Sequence, residues 1–413
     1  MIAFDTVATC PKDREWRYQI AVPVQLDPDT VGFLTNIRLC SVKSVDIEAG
    51  SDMIVTERGS YLVPKSVTVL NRSELEIHPD TRRPMFTVRY PFSAGFIPRG
   101  AKRADGSEHP HQGTGFGLCQ SIGFPADKDG RILVRGEWEI EAKDRYHKIE
   151  LQQYRYDGRK FHIERSEVLD PSEIFQGYRL TGISLGPFIP EGDDLIGGST
   201  YAKEERICGL SRWKRTDGKW MPCDFYPIPE ALDFGESSVV RDCDGSLLFC
   251  ARPGRDSSYA NDILVWRSSG TYSQWERIIH RSGARAMTPV TINRTADGRA
   301  YIAGNPHRLT DSFGREGHSV NMRETLLIWQ ISDDRKSLME PVTVKDCNSD
   351  FGIPPHGSKW RADHPIGFDI CSTEGQSRHI LTYRVMEESE GRWGSPPTAY
   401  TGTYIDDLTT GNL

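Results

Sequence analysis

Four short clusters in this sequence hold the residue types that proton transfer and anion binding need. Glu236 opens an apolar run that an Asp-Gly turn reverses at 244–245, and Arg252 closes the returning run. Asp363 adjoins His364, Tyr383 adjoins Arg384, and His109 and His111 flank Pro110. A carboxyl can serve as a general acid and a histidine as a general base. A tyrosine next to a base can act as acid or nucleophile. Converging guanidinium groups bind a carboxylate through paired donors. His109 and His111, two residues apart in extended chain, point to one side and could share a metal; without a third and fourth ligand in view, no metal is expected.

These clusters need elements to bring them together, and the turns supply the pattern. Asp-Gly pairs at 129–130, 157–158, 217–218, 244–245 and 297–298 separate apolar runs. Asp-Gly between such runs is a hairpin signal, because the turn needs positive φ. The hairpins fall into two alternating classes. The first covers 113–138, 178–201, 235–253, 287–306 and 363–385; the second covers 148–168, 206–225, 262–279 and 325–344 and carries a recurring aromatic, Tyr154, Trp213, Trp266 and Trp329. One hairpin of each class makes a four-stranded antiparallel unit, and radial repetition of such units is a β-propeller. The expected fold is therefore all-β: a single domain over 1–413 with blades at about 110–170, 178–226, 235–281, 287–345 and 363–405. Residues 1–105 supply one or two more, so six blades are expected and seven is the alternative. A pair of stacked β-sandwiches is the competing architecture.

Composition agrees with many short strands and narrows the partners. The 413 residues include 38 glycines and 25 prolines, as many turns require. Lys and Arg number 51 against 58 Asp and Glu, a net charge of −7 without a basic block, which argues against nucleic acid. No run is apolar and long enough to span a bilayer, and the first residues lack a signal-peptide pattern. The expectation is no membrane association and a cytoplasmic location, or a secreted or periplasmic one if a leader precedes this sequence. Nine cysteines, odd in number and without a CxxC pair, predict reduced thiols. No cofactor is expected, and the oligomeric state is not readable.

Propeller geometry nominates a site without chemical assumptions. Residues just before each blade's first strand and just after its second converge near the axis. The first-strand positions are His109 and His111, Tyr178 and Arg179, Glu236, Thr288, and Asp363 with His364. The second-strand positions are Glu137 and Trp138, Tyr201, Arg252 and Arg255, then Asn305, His307 and Arg308, and Tyr383 with Arg384. A concave face with so many ionisable groups fits a ligand bearing charge and hydroxyls.

The stretch Gly235-Glu236-Ser237-Ser238-Val239-Val240, then Asp244-Gly245-Ser246-Leu247-Leu248 and Arg252, resembles the sialidase-like propeller superfamily of carbohydrate enzymes. Leu381-Thr382-Tyr383-Arg384 looks like a further active-site strand of that group, and 214–220 and 267–275 look like worn Asp-box turns. Arg89 or Arg99 stands where a first substrate arginine would be.

The resemblance implies an exo-acting glycoside hydrolase on an acidic, carboxylate-bearing sugar. Arg252 and Arg384, with Arg179, would hold the carboxylate; Asp363 or Asp105 would be the general acid; Tyr383, activated by Glu236, would be the nucleophile. His111, Glu137, Tyr201, Asn305 and His307 would complete the binding surface. The alternative is a uronate-directed polysaccharide lyase, with His109, His111 or His364 as base and a tyrosine as acid. A second alternative is a carbohydrate-binding propeller without catalysis. In each case the partner is an oligo- or polysaccharide.

Overall fold

A computed structural model describes residues 16–39, 48–134, 139–169, 178–182, 184–268, 270–307, 323–353, 358–371, 377–389, 400 and 402–409. Its strands form six antiparallel sheets set as the blades of a propeller. Blade one is Trp16–Asp27, Thr30–Leu39, Glu48–Glu57 and Ser60–Arg72. Blade two is Pro84–Ile97, Thr114–Pro125, Tyr146–Tyr156 and Phe161–Leu169, with Glu74–Ile77 paired to the first half of Pro84–Ile97. In blade three the inner edge comes as two pieces, Arg179–Gly182 and Ile189–Glu191, both against Asp194–Ala202, followed by Arg206–Thr216 and Lys219–Leu232.

Blade four is Phe234–Arg241, Leu247–Pro253, Ile263–Ser268 and Glu276–Arg281, and blade five is Thr291–Arg294, Ala300–Gly304, Thr325–Gln330 and Val342–Asp346. Blade six contributes Ser358–Ile370, Arg378–Ser389 and Gly402–Asp407 among the described residues. It meets blade one directly: the Thr382 and Thr403 hydroxyls donate to the Ala21 and Gln19 carbonyls at 2.8 Å each, which closes the ring.

The local chemistry of the hairpins is what the turns require. Asp217 and Gly218 both take positive φ, 51° and 79°, the pairing that a tight two-residue hairpin needs. The recurring aromatics Tyr154, Trp213, Trp266 and Trp329 lie on the third strands of blades two to five, all buried. Trp213 stacks on Phe116 of the neighbouring blade with ring centres 4.2 Å apart, so the repeat in sequence becomes a repeat of blade-to-blade packing.

The first hairpin of blade two differs from the expected register. Its inner strand is Pro84–Ile97, and Thr114–Pro125 is its second strand. Blade two thus begins upstream of residue 110, and the first 105 residues supply one whole blade plus the inner strand of the next. This makes six blades rather than seven.

Inner strands all run from one face, here the upper, to the other, the lower. Near the upper end the pairing of inner and second strands slips in five of the six blades: between Tyr18 and Ala21, Pro91 and Ser93, Leu180 and Gly182, Gly235 and Ser238, and Asp363 and Ile366. These bulges re-aim side chains at the axis. On the lower face, turns tie blades together: Arg335 of blade five donates two bonds to Asp242 of blade four, at 2.8 and 2.7 Å. Arg335→Ala is expected to cost about 1.5–3 kcal/mol, the range for hydrogen bonds to charged groups, read as a lower urea midpoint at unchanged slope.

Candidate functional site

Two of the bulges place ionisable residues at corresponding positions. Glu236 in blade four and His364 in blade six are non-glycine residues with positive φ, 49° and 55°. Such conformations cost about 1–3 kcal/mol and persist where the surroundings hold them. Both residues lie in the slipped stretch at the upper end of an inner strand, and each feels the other's charge.

Glu236 accepts from Arg252 Nη1 at 2.6 Å, and Arg252 Nη2 donates to the Met287 carbonyl at 3.2 Å. The carbonyls on either side of Met287 are also held. Arg285, fully buried, spends its guanidinium on the carbonyls of Ala260, Asp262, Ala286 and Thr288 at 2.7–3.0 Å. Burial opposes ionisation of Glu236, but Arg252, His364 and Arg323 outweigh it and hold its carboxyl below the usual range.

Asp363 has no exposed surface and is surrounded by donors: Arg384 Nε and Nη2 at 2.7 and 2.9 Å, Arg323 Nη1 at 2.5 Å and His364 Nδ1 at 2.9 Å. Burial opposes its charge, yet Arg384, His364 and Arg323 keep its carboxyl well below the ordinary value. An ionised carboxylate only accepts, so the His364 proton sits on Nδ1. Burial, with Arg384 adding to it, depresses the His364 pKa against the pull of Asp363, so the ring is neutral at pH 7. Its Nε2 is then a lone-pair acceptor with no hydrogen bond to a described residue.

Beside Glu236, between blades three and four, a polar pocket of about 350 Å³ opens on the upper face. Its lining includes Gln120, Thr181, Arg206, Asp233, Arg252 and Arg255. Arg206 is paired to Asp233 at 2.7 Å and Arg252 to Glu236, while the exposed Arg255 has no carboxylate partner among the described residues. Glu236 lines this pocket, whereas His364, whose pKa the Glu236 charge raises, is not among the lining residues.

The expected site residues divide accordingly. Glu236, Arg252, Asp363, His364 and Arg384 gather at the upper end of the axis. Arg384, however, is buried against Asp363 and Gln19 Oε1, so it holds Asp363 and offers no donors to a substrate. Asp363, held ionised and covered, is likewise not placed to act as a general acid. Arg179 is exposed at the upper end of blade three and opposes protonation of His147.

Tyr383 does not reach the site. Its hydroxyl donates to Asp406 at 2.8 Å, its ring stacks on Tyr404, and burial with Asp406 raises its pKa, so a nucleophilic role is not supported. Tyr383→Phe should leave turnover unchanged and cost about 1.5–3 kcal/mol of stability, checked by kinetics and a thermal melt; a hundredfold loss of kcat, ~2.7 kcal/mol, would restore the nucleophile assignment.

Tyr201 is buried against Phe225, with ring centres 4.2 Å apart, and faces the core rather than the axis. Asn305 is buried and donates to the carbonyls of Thr325 and Ala362 at 2.7 and 2.8 Å, stitching blade five to blade six. His307 is half-buried, with its amide on the Ala284 carbonyl. Glu137 lies outside the described residues, as do Trp138 and Arg308.

His109 and His111 are on the opposite, lower face. They sit in the loop from Ile97 to Thr114, with His109 Nε2 2.9 Å from the Gly192 carbonyl and His111 edge-on to Trp220. Asp105 shares that loop, where it caps Ser107. Arg99 is there too, bonded to the Asp157 carbonyl, and Arg89 is bound by Glu74, Glu76 and Glu150. Sequence reading missed Arg323, Arg206, Asp233, Thr181 and Gln120. Asp233 directly precedes a first strand and satisfies the convergence rule; the others come from the starts of third strands, a bulge and, for Gln120, the middle of a second strand, none of which a turn motif marks.

Several solved structures share this fold. A protein of unknown function from Dyadobacter fermentans DSM 18053 is 11% identical, with a TM-score of 0.54 over 94% of this chain and 93% of its own. The Hadza microbial sialidase Hz136 is 12% identical, with a TM-score of 0.54 over 95% of this chain and 66% of its own, so this chain spans about two thirds of it. NanB, solved with Optactamide, is 8% identical, with a TM-score of 0.51 over 94% of this chain and 68% of its own. No protein-family model matches the chain, and no curated protein matches it in sequence. At such identities the likeness shows the fold alone, a six-bladed β-propeller.

Proposed function

We propose that the protein cleaves glycosidic bonds next to an acidic sugar at the upper end of its axis. His364 is the proton-transfer group, and Arg252 and Arg255 are the carboxylate binders. The observation that carries this reading is the paired delivery of Glu236 and His364 by matching positive-φ bulges, one tied to an arginine and the other tuned as a neutral base. His364 Nε2 would take the proton α to the sugar carboxylate, whose charge the arginines offset. The electron pair forms the C4–C5 double bond as the C4–O bond breaks, and the imidazolium returns its proton to the leaving oxygen. Glu236 keeps Arg252 aimed at the pocket and accepts from a sugar hydroxyl.

Glycoside hydrolysis is the second reading, favoured by the shared architecture with a protein named a sialidase. In that case His364 would deprotonate a water that attacks the anomeric carbon as the glycosidic C–O bond breaks, and the imidazolium would return that proton to the leaving oxygen.

A panel of uronate-bearing, sialate-bearing and neutral oligosaccharides separates the two. Elimination gives a product with the ultraviolet absorbance of an unsaturated uronate, and hydrolysis gives a new reducing end without it. Turnover of neutral sugars alone, or saturable binding with no turnover of any, would overturn the proposal. Glu236→Gln should raise KM about tenfold, since it loosens a charged contact that orients Arg252, with a smaller effect on kcat.

A further inference from the structure

The lower end of the axis holds a second cavity that the upper site does not use. All six inner edges line it, through Val24, Phe96, Ile189, Val240, Ile292 and Phe368, and its volume is about 420 Å³. Small-molecule pockets span ~300–1,000 Å³ and are mostly apolar with a few placed polar groups. Three charged side chains reach this one: Arg241, Arg294 and Asp369.

Two of these charges are already answered. Arg241 is paired to Glu191 and donates to the Gly245 carbonyl at 2.8 Å. Asp369 accepts from His379 Nδ1 at 2.5 Å, and the far nitrogen of that ring meets the buried Tyr301 hydroxyl, also at 2.5 Å. Arg294 differs. Among the described residues its guanidinium reaches only the Cys243 sulfur, at 3.4 Å, and its Nε is buried without an acceptor. A guanidinium beside an apolar wall, with a buried donor unanswered, is destabilised until something accepts from it. Carboxylates do this best, through two parallel bonds.

We infer that this lower cavity is a binding site for a small amphiphilic carboxylate, a short fatty or aryl-alkanoic acid. The apolar body lies against Phe96, Val240, Ile292 and Phe368, and the carboxylate sits on Arg294. The cavity is at the end of the inner strands opposite Glu236, so occupancy is independent of the sugar site.

Isothermal titration of the whole protein with sodium octanoate tests the assignment. Saturable binding is expected, weakened about tenfold or more by Arg294→Gln, abolished by the cavity-filling Val240→Trp, and within about twofold of wild type in Glu236→Gln. No saturable heat, or equal affinity in Arg294→Gln, would overturn it, as would loss in Glu236→Gln. If the thermal melt shows that Val240→Trp does not fold, 1-octanol decides. It must bind about tenfold or more weaker than octanoate to the wild type, and equal binding would overturn the carboxylate role of Arg294.

Discussion

His364→Asn is expected to lower kcat/KM on the acidic substrate by about 10²–10⁴-fold, the usual contribution of a positioned general base, while the protein melts close to wild type. Asparagine isolates basicity from shape. It accepts positive φ more readily than most residues, and its side-chain amide can donate to Asp363 as Nδ1 does, so the bulge and the buried carboxylate keep their partners. Only the lone pair at Nε2 is removed.

The wild-type pH profile provides the independent readout. The base works as the neutral ring, and burial sets its pKa below the ordinary 6.5. Activity should therefore climb with pH along an acid limb whose midpoint lies under that value, and be level through neutrality. In His364→Asn the limb should vanish along with the rate. A variant that keeps wild-type turnover, or a limb with its midpoint above 6.5, removes His364 from the chemistry.

Much of the architecture was legible because its signals are local. Asp-Gly turns and the third-strand aromatics recur with the blade, so the antiparallel units and their radial repetition follow from short-range rules. Blade two hides its inner strand for the same reason. Pro84–Ile97 contains Pro91 and joins Thr114–Pro125 through the long loop at 98–113 instead of a tight turn, so the hairpin pattern starts one strand late. That single slip carried His109 and His111 to the wrong face.

Tyr383 and Arg384 failed together for a different reason. Neighbours on a strand point to opposite sides, so both could not face the same ligand. Leu381, Tyr383 and Val385 pack in one core cluster, while Thr382 and Arg384 reach blade one. Neither the bulges that aim Glu236 and His364 nor the approach of Arg323 to Asp363 leaves a mark in the local pattern, because both depend on register between strands.

Asp363→Ala should be the most destabilising of these changes, by about 3–5 kcal/mol, because it strips a buried countercharge and leaves its partners in place. Arg384 is 2% and Arg323 5% exposed at the side chain, so neither can recover its solvation without moving blade six against blade one or blade five. The double variant Asp363→Leu with Arg384→Met removes two of the charges as well as their attraction, and should recover part of the loss in urea unfolding at pH 7.

The pH dependence fixes the electrostatic share. A carboxyl whose folded pKa is depressed stabilises fully above its unfolded value, near ~3.9, and loses that contribution as pH falls towards the folded value. The gap in unfolding free energy between wild type and Asp363→Ala should therefore be constant above about pH 5 and narrow below about pH 4. A gap that stays constant down to acid unfolding would mean that Asp363 holds the blades by shape and hydrogen bonding alone, and that its charge does not set the state of His364.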